Sequence, residues 1–334
     1  MSSTPTPSPL LGLPGAVSGD GVDAGVAAHY GSFNTEQRTL SHGVGFVDLS
    51  HHGVLRVSGP DRLTWLHSLT TQDFESLQPG AMTAALVLSP QGHVEHAMVG
   101  VDDGAAFTAH TEPGAAAPLV EFLDRMRFMM RVEVEDLTDQ LAVAWRPFET
   151  VAAQPPQGPR EVGKYDVFPR AELEVYAQAA GPACGTWAFE ALRIARGEPR
   201  FGVDTDHRTI PNEVGWVSTG STDKAPVHLD KGCYRGQETV ARVHNLGRPP
   251  RRLTLLHLDG SENRLPSGGA VVTSGDRSVG TVGSSARHFE AGPIALALLK
   301  RNVPVDAPLE VDGLVAAQEV VVDPEVGLHV RPLR

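Results

Sequence analysis

An α+β fold followed by a separate all-β unit is predicted by two observations. Between Val54 and Glu135 the runs read strand, helix, two or three strands, helix, strand, the order of a split βαβ sandwich. From about Arg251 onward the chain changes to short β-rich runs, such as Leu253 to Leu258 and Val320 to Val322, broken by glycine and by Asp312-Gly313. That second pattern predicts a small barrel or sandwich.

Taken in order, Val54-Leu55-Arg56-Val57 reads as a short strand. A helix is predicted to open at Ser58, with Ser58 as cap, Pro60 in the first turn and Asp61 near the positive end of the helix dipole. Leu63, Leu66 and Leu69 would share one face. The unbroken apolar run Met82 to Leu88 predicts a buried strand, and Ser89-Pro90-Gln91-Gly92 suits a type I turn. His93 to Val101 runs back, Asp102-Asp103-Gly104 turns, and Ala105 to His110 follows. Leu119, Phe122, Leu123 and Met126 mark one face of a helix, and Met130 to Glu135 alternates as a strand. The prolines of Gln154 to Pro159 predict a stiff linker near 153–164. A further helix from about Trp187 to Arg196 stops at Gly197, with Pro199 beyond it.

The chain has 334 residues, enough for two or three domains. A net charge of −12 argues against broad binding to nucleic acid or to anionic membrane. No stretch approaches the roughly 20 uninterrupted apolar residues of a membrane span. The two cysteines, Cys184 and Cys233, are too few for a disulfide framework and fit a reducing compartment. Residues 1–24, rich in Ser, Thr, Pro and Gly, lack the basic start of a secretory signal and the arginines of a transit peptide. They are read as a disordered leader on a cytoplasmic protein, with 25–250 as an α/β region and 251–334 as the β unit.

The stretch Lys231-Gly232-Cys233-Tyr234-Arg235-Gly236-Gln237-Glu238 carries the first candidate chemistry. Gly232 and Gly236 permit backbone angles or close approaches that a Cβ forbids, so the loop can present its thiol. The alternative is a glycine-rich turn into a helix with an incidentally buried cysteine. Lys231, Arg235, Arg242, Arg248, Arg251 and Arg252 crowd 231–252 against the single acid Glu238. They form either a patch for carboxylates or phosphates, or a set of partners for acids elsewhere. Cys233 has no second cysteine nearby and His228 and His244 lack zinc-like spacing from it, so this chain alone does not supply a cluster's four thiolates. It can donate one ligand to a cluster shared with a partner. Glu213, just before an apolar turn, matches bidentately a ligand edge with two adjacent N–H donors; otherwise it is an exposed loop acid.

These stretches together resemble the YgfZ family, folate-binding relatives of the glycine cleavage T protein, an aminomethyltransferase. The match is closest at Lys231 to Glu238. It extends to Arg193-Ile-Ala-Arg-Gly-Glu-Pro-Arg-Phe-Gly202, Pro211-Asn-Glu-Val-Gly215, Val54 to Asp73 and the Ser89 to Gly92 turn. The resemblance implies intertwined ferredoxin-like α/β subdomains around a central cleft, closed by a C-terminal β-barrel. It also implies tetrahydrofolate or a derivative in that cleft and a role in assembling or repairing iron–sulfur proteins. A-type iron–sulfur carrier proteins or client iron–sulfur enzymes are the implied partners, with no nucleic acid and no membrane. Carried over by position, Glu213 would read the pterin edge, Arg251 or Arg252 would receive the folate glutamate tail, and Cys233 would touch the cluster or a partner thiol, as a redox contact or shared metal ligand. T proteins carry an aspartate shortly after a hairpin that here reads Gln91-Gly-His-Val-Glu95-His96. Its replacement by Glu95 or His96, and Phe201 in place of a usual tyrosine, favour an accessory protein over an enzyme with ordinary turnover. The alternatives are a tetrahydrofolate-dependent one-carbon transferase and a purely structural interaction protein.

Overall fold

The computed structural model describes residues 6–148, 163–217, 225–262 and 264–326. Within them the chain forms two compact units whose division does not follow one cut in the sequence. The first holds 6–85, 96–148 and 163–189; the second holds 86–95 and the described residues from 190 onward. The expected linker at 153–164 falls almost wholly outside the described residues.

The N-terminal leader is a correction. Residues 6–24 are built into the first unit, and only 1–5 lie outside the described residues. A 3-10 turn at Pro9–Gly12 is capped by Ser8, whose hydroxyl accepts from the Leu10 N–H and donates to Asp48. Leu10, 2% exposed, packs with Phe46, Ala144 and Leu173. Serine and proline here act as cap and first-turn residues rather than as solvated coil. Buried Leu10 and the buried Ser8–Asp48 bond together anchor them.

Strands β1 (Val17–Ser18) and β2 (Ala27–His29) then pair, and helix α1 (Phe33–Ser41) follows with Ser32 as its cap. Strand β3 (Phe46–Asp48) leads to β4 (Gly53–Ser58) and helix α2 (Arg62–Leu69). That helix starts later than expected, with Asp61 rather than Ser58 at its cap. Asp61 instead accepts from the Arg131 backbone at 2.9 Å and from its guanidinium. Arg62 clasps buried Asp102 with two bonds of 2.7 and 2.8 Å, fixing the helix to the end of a strand.

Strands β5 (Met82–Leu88), β6 (Val94–Asp102) and β7 (Ala106–Thr111), helix α3 (Ala116–Arg125) and β8 (Glu133–Asp136) complete this half. The sheet order is β5-β6-β7-β4-β8, as a split βαβ arrangement requires. Strand β8 begins three residues later than its alternation suggested, because Phe128 and Met129 turn into solvent, 84% and 97% exposed. A second sheet, ordered β10-β9-β3-β11, comprises β9 (Leu141–Pro147), β10 (Gly163–Pro169), β3 and β11 (Ala183–Cys184). Helices α4 (Leu173–Ala180) and α5 (Thr186–Ala195) accompany it. Gly197, at φ +70°, ends α5 as expected.

In the second unit α6 (Gln237–Leu246) precedes a closed barrel of β12 (Arg251–Leu258), β13 (Val271–Ser274), β14 (Arg277–His288), β15 (Gly292–Lys300), β16 (Leu309–Val311) and β17 (Leu314–Val320). Period-two alternation divides β12. Leu256 and Leu258 join Val272, Val282, Leu299 and Val311 in the interior, while Leu253 and Leu255 pack outward against Ala191 and Ile194 of α5. Beneath that face lies an ionic network. Arg193 bonds Glu190 and, at 2.8 Å, Asp204; Asp204 also accepts from Arg200 N–H and the Ser284 hydroxyl. Burial works against the Arg193 charge, and the two carboxylates outweigh it, so its pKa is raised.

Candidate functional site

The Cys233 loop is held by the residues at its two sides. Lys231 and Tyr234 are buried at 7% and 9% exposure, and the Lys231 ammonium lies 5.1 Å from the Tyr234 ring centroid, a cation–π contact. Burial pushes the Tyr234 phenol up to about 12, so it stays protonated at neutral pH. Gly232 and Cys233 between these two anchors are exposed. The thiol is therefore presented rather than packed. Cys184, by contrast, is 1% exposed, and burial with the nearby Glu36 pushes its thiol up to about 12. Inert packing describes it well.

Gly236 launches α6 from a left-handed conformation, φ +80°. A Cβ there would stand 2.4 Å from the Ser89 carbonyl oxygen, and one on Gly92 would stand 2.7 Å from the Thr239 Cβ. Two glycines thus let the Ser89 to Gly92 turn, closed by a 2.9 Å bond from Gly92 N–H to Ser89 O, lie directly on the helix start. Just beyond, Arg235 donates to Glu95 at 2.9 Å. Glu95 and His96 point to opposite faces of β6, as strand neighbours must, and His96 packs on the Phe122 ring instead. Of the two, Glu95 is the one attached to the cysteine loop.

Glu213 ends a 3-10 turn at Pro211–Glu213 and is fully buried. Arg251 grips it bidentately at 2.9 and 2.8 Å, and the Ile210 N–H adds a third bond at 3.1 Å. The same guanidinium reaches Asp206 at 2.6 and 3.1 Å. Burial opposes the Arg251 charge, but bonds to Glu213 and Asp206 hold its pKa above the ordinary value, and its bonds in turn hold the Asp206 carboxyl well below the usual range. The exposed-loop alternative for Glu213 is excluded. A cavity of about 690 Å³ opens beside these residues, with Thr239, Arg242 and Val243 of α6 on one side and Pro250 and Arg251 on another. Cys233, Gln237 and Glu238 do not line it.

The basic run at 231–252 separates into distinct environments. Lys231 is buried on Tyr234, Arg235 faces Glu95, and Arg251 is committed to two acids. Arg242 and Arg248 line the cavity. Arg252 is a correction: it is 0% exposed inside the barrel, bonded to the Thr254 hydroxyl at 2.6 Å, the Gln318 amide oxygen at 2.8 Å and the Val303 carbonyl. Adjacent residues on a strand face opposite ways, so Arg251 and Arg252 cannot share a ligand. Two cavity cations, Arg208 and Lys300, lie outside the run and escaped sequence reading. Among the described residues no group of three or more His, Cys, Asp and Glu side chains is placed to hold a metal ion.

Comparison with known protein families matches two separate segments of the chain. Residues 14–144 fit the GCVT N-terminal domain family, and residues 251–325 fit the family described as the CAF17 C-terminal β-barrel domain. A chloroplastic protein of Arabidopsis thaliana, named as a transferase, is 26% identical over 90% of this chain and 76% of its own length. A mitochondrial iron–sulfur cluster assembly factor IBA57 homolog of Mycosarcoma maydis is 26% identical over 62% of this chain, which spans 55% of that protein. Among solved structures, the glycine cleavage system aminomethyltransferase T of Bartonella henselae superposes with a TM-score of 0.75 at 17% identity, over 96% of this chain and 97% of that one. At that identity the likeness establishes the fold.

Proposed function

The chain belongs to the YgfZ family of T-protein relatives, and we propose that it binds a reduced folate and serves the assembly or repair of iron–sulfur proteins through Cys233. The observation that carries this reading is the asymmetry of the two thiols. Cys184 is sealed and Cys233 is held outward by two buried anchors, so the chain offers one sulfur ligand to an outside site. A cluster bound there would need its remaining ligands from another molecule. An A-type carrier protein or a client iron–sulfur enzyme fits that need. Two cysteines without a disulfide framework agree with a cytoplasmic setting.

A folate is compatible with the residues present. The cavity of about 690 Å³ falls within the roughly 300–1,000 Å³ usual for small-molecule sites. Its wall includes a buried carboxylate, Glu213, matched to two adjacent N–H donors of a pterin edge. Arg251 now occupies that carboxylate, and Asp206 gives it a second partner to keep when Glu213 turns to a ligand. Exchange of partners would leave no buried charge unpaired, which is the condition for binding without a large penalty. One-carbon transfer finds less support, because Glu95 is engaged by Arg235 and is not part of the cavity wall.

Calorimetric titration with tetrahydrofolate tests the ligand. Binding by the wild-type chain, weakened at least about tenfold in a folded Glu213→Gln variant, is expected from the loss of one bidentate charged pair. No heat with the wild-type chain contradicts folate binding. Deleting the gene tests the role: activities of iron–sulfur enzymes should fall while their protein levels hold, and unchanged activities contradict it.

A further inference from the structure

We infer that the C-terminal barrel carries a separate ligand site, for a phosphate group, between the β13–β14 hairpin and the turn that follows β15. A cavity of about 710 Å³ opens there, wholly within the second unit. Arg277 and Lys300 bring two cations to its wall, Ser274 and Ser278 two hydroxyls, and Asn302 an amide. Among the described residues no acid lines it, so no carboxylate of the wall competes for those donors. Asp276, at the hairpin tip beside Arg277, is exposed and outside the lining. No aromatic residue lines it either, so a pterin or a base finds nothing to stack on. The inference therefore does not rest on the folate reading.

Both walls are fixed. Ser274 pairs with Arg277 across the hairpin, and the Lys300 ammonium donates to the Ser278 carbonyl at 2.8 Å, keeping two N–H donors for a ligand. The Val303 N–H donates to the Lys300 carbonyl at 3.1 Å and closes the turn that carries Asn302. An independent observation comes from beneath this wall. The carbonyl of Val303, a lining residue, accepts from the Arg252 guanidinium at 3.3 Å, so a 0% exposed cation stands directly behind the cavity. Its other partners, the Thr254 hydroxyl and the Gln318 amide oxygen, are neutral, and its Nε has none among the described residues. A buried cation without a paired carboxylate is costly, and an anion in the adjoining cavity offsets that cost. The donors reach the cavity from separate segments and along different directions. A phosphate group, with several acceptor oxygens and nearly two negative charges, uses them together, whereas a lone carboxylate has two oxygens to offer.

The test titrates the full chain with inorganic phosphate and with phosphoserine at constant ionic strength, followed by phosphorus NMR line width. Saturable binding with a Kd of about 5 mM or tighter is expected for at least one of them. Tighter binding of phosphoserine assigns the site to a phosphorylated molecule, tighter binding of inorganic phosphate to the free ion. Arg277→Ala, at an exposed position, should weaken binding at least about fivefold through the loss of a charge-assisted pair, and Arg277→Lys should restore part of it. Arg252→Met, which keeps volume but removes the buried charge, should weaken binding about twofold or more in the folded protein. Arg208→Ala, which touches only the first cavity, should leave phosphate affinity as it is. No saturable binding of either ligand overturns the inference. Binding that Arg277→Ala leaves unchanged, or that Arg208→Ala abolishes, overturns the place assigned to it.

Discussion

Arg235 donates to Glu95 across 2.9 Å, joining the loop that presents Cys233 to the hairpin that follows the Ser89 to Gly92 turn. Both side chains are 37% exposed, so the pair adds under about 1 kcal/mol to stability. Position is fixed by the glycine contacts beneath it. At Gly236 a Cβ meets the Ser89 carbonyl oxygen at 2.4 Å on a backbone with φ +80°. Gly236→Ala is expected to destabilise the chain by about 1–3 kcal/mol and to loosen the cysteine loop. Denaturant unfolding and the rate of Cys233 alkylation measure the two effects.

The thiols should separate cleanly by reactivity. Cys233 is exposed, whereas Cys184 is 1% exposed with its thiol pushed up to about 12. Brief treatment with iodoacetamide at pH 7.5 should label Cys233 alone in the native protein and both cysteines in denaturant. Mass spectrometry of the peptides reads the result. Native labelling of Cys184 would show that the first unit opens more readily than its packing implies.

Arg251 and Arg252 are sequence neighbours with opposite predicted phenotypes. Arg252→Ala removes a side chain buried in the barrel and strands the Thr254 hydroxyl and the Gln318 amide oxygen, costing about 2–4 kcal/mol. Folate affinity in the folded fraction should not change. Arg251→Ala leaves Glu213 buried without its charge partner, so it should lower stability by about 3–5 kcal/mol and alter folate affinity as well. Thermal unfolding with and without tetrahydrofolate distinguishes the two variants.

His110 should make the first unit sensitive to mild acid. Its ring packs on Tyr165 with centroids 4.2 Å apart, its Nδ1 lies 3.4 Å from that of His52, and burial pulls its pKa down to about 4. The unfolded chain takes up this proton near pH 6.5, the folded chain only near 4. Its contribution is therefore complete above about pH 6.5 and is lost as pH falls toward 4, by about 2 kcal/mol at pH 5. Urea unfolding at pH 7 and 5 should show the loss, and His110→Phe should reduce it.

Much of the frame was legible because it rests on local pattern. The Met82 to Leu88 run, the Ser89 to Gly92 turn, the stop at Gly197 and the switch to short strands at Arg251 all encode their geometry in adjacent residues. What stayed hidden depends on residues far apart in the chain. Ser8 and Leu10 look like part of a disordered leader until Asp48 and Phe46 are beside them. Arg252 looks like a ligand contact until barrel closure brings Gln318 and Val303 to it, although β-strand alternation alone separates it from Arg251. Arg208 and Lys300 lie 92 residues apart in sequence, and only the fold puts both on one cavity. The cysteine motif allows either a presented or a buried thiol, and its anchors, Lys231 against Tyr234, emerge only in the fold.

The most direct test of the central claim replaces Cys233 alone. In cells lacking the wild-type gene, a Cys233→Ala variant expressed at the wild-type level should fail to restore the activity of iron–sulfur enzymes, while the purified variant folds normally and still binds tetrahydrofolate. Full restoration of those activities by Cys233→Ala would contradict the account.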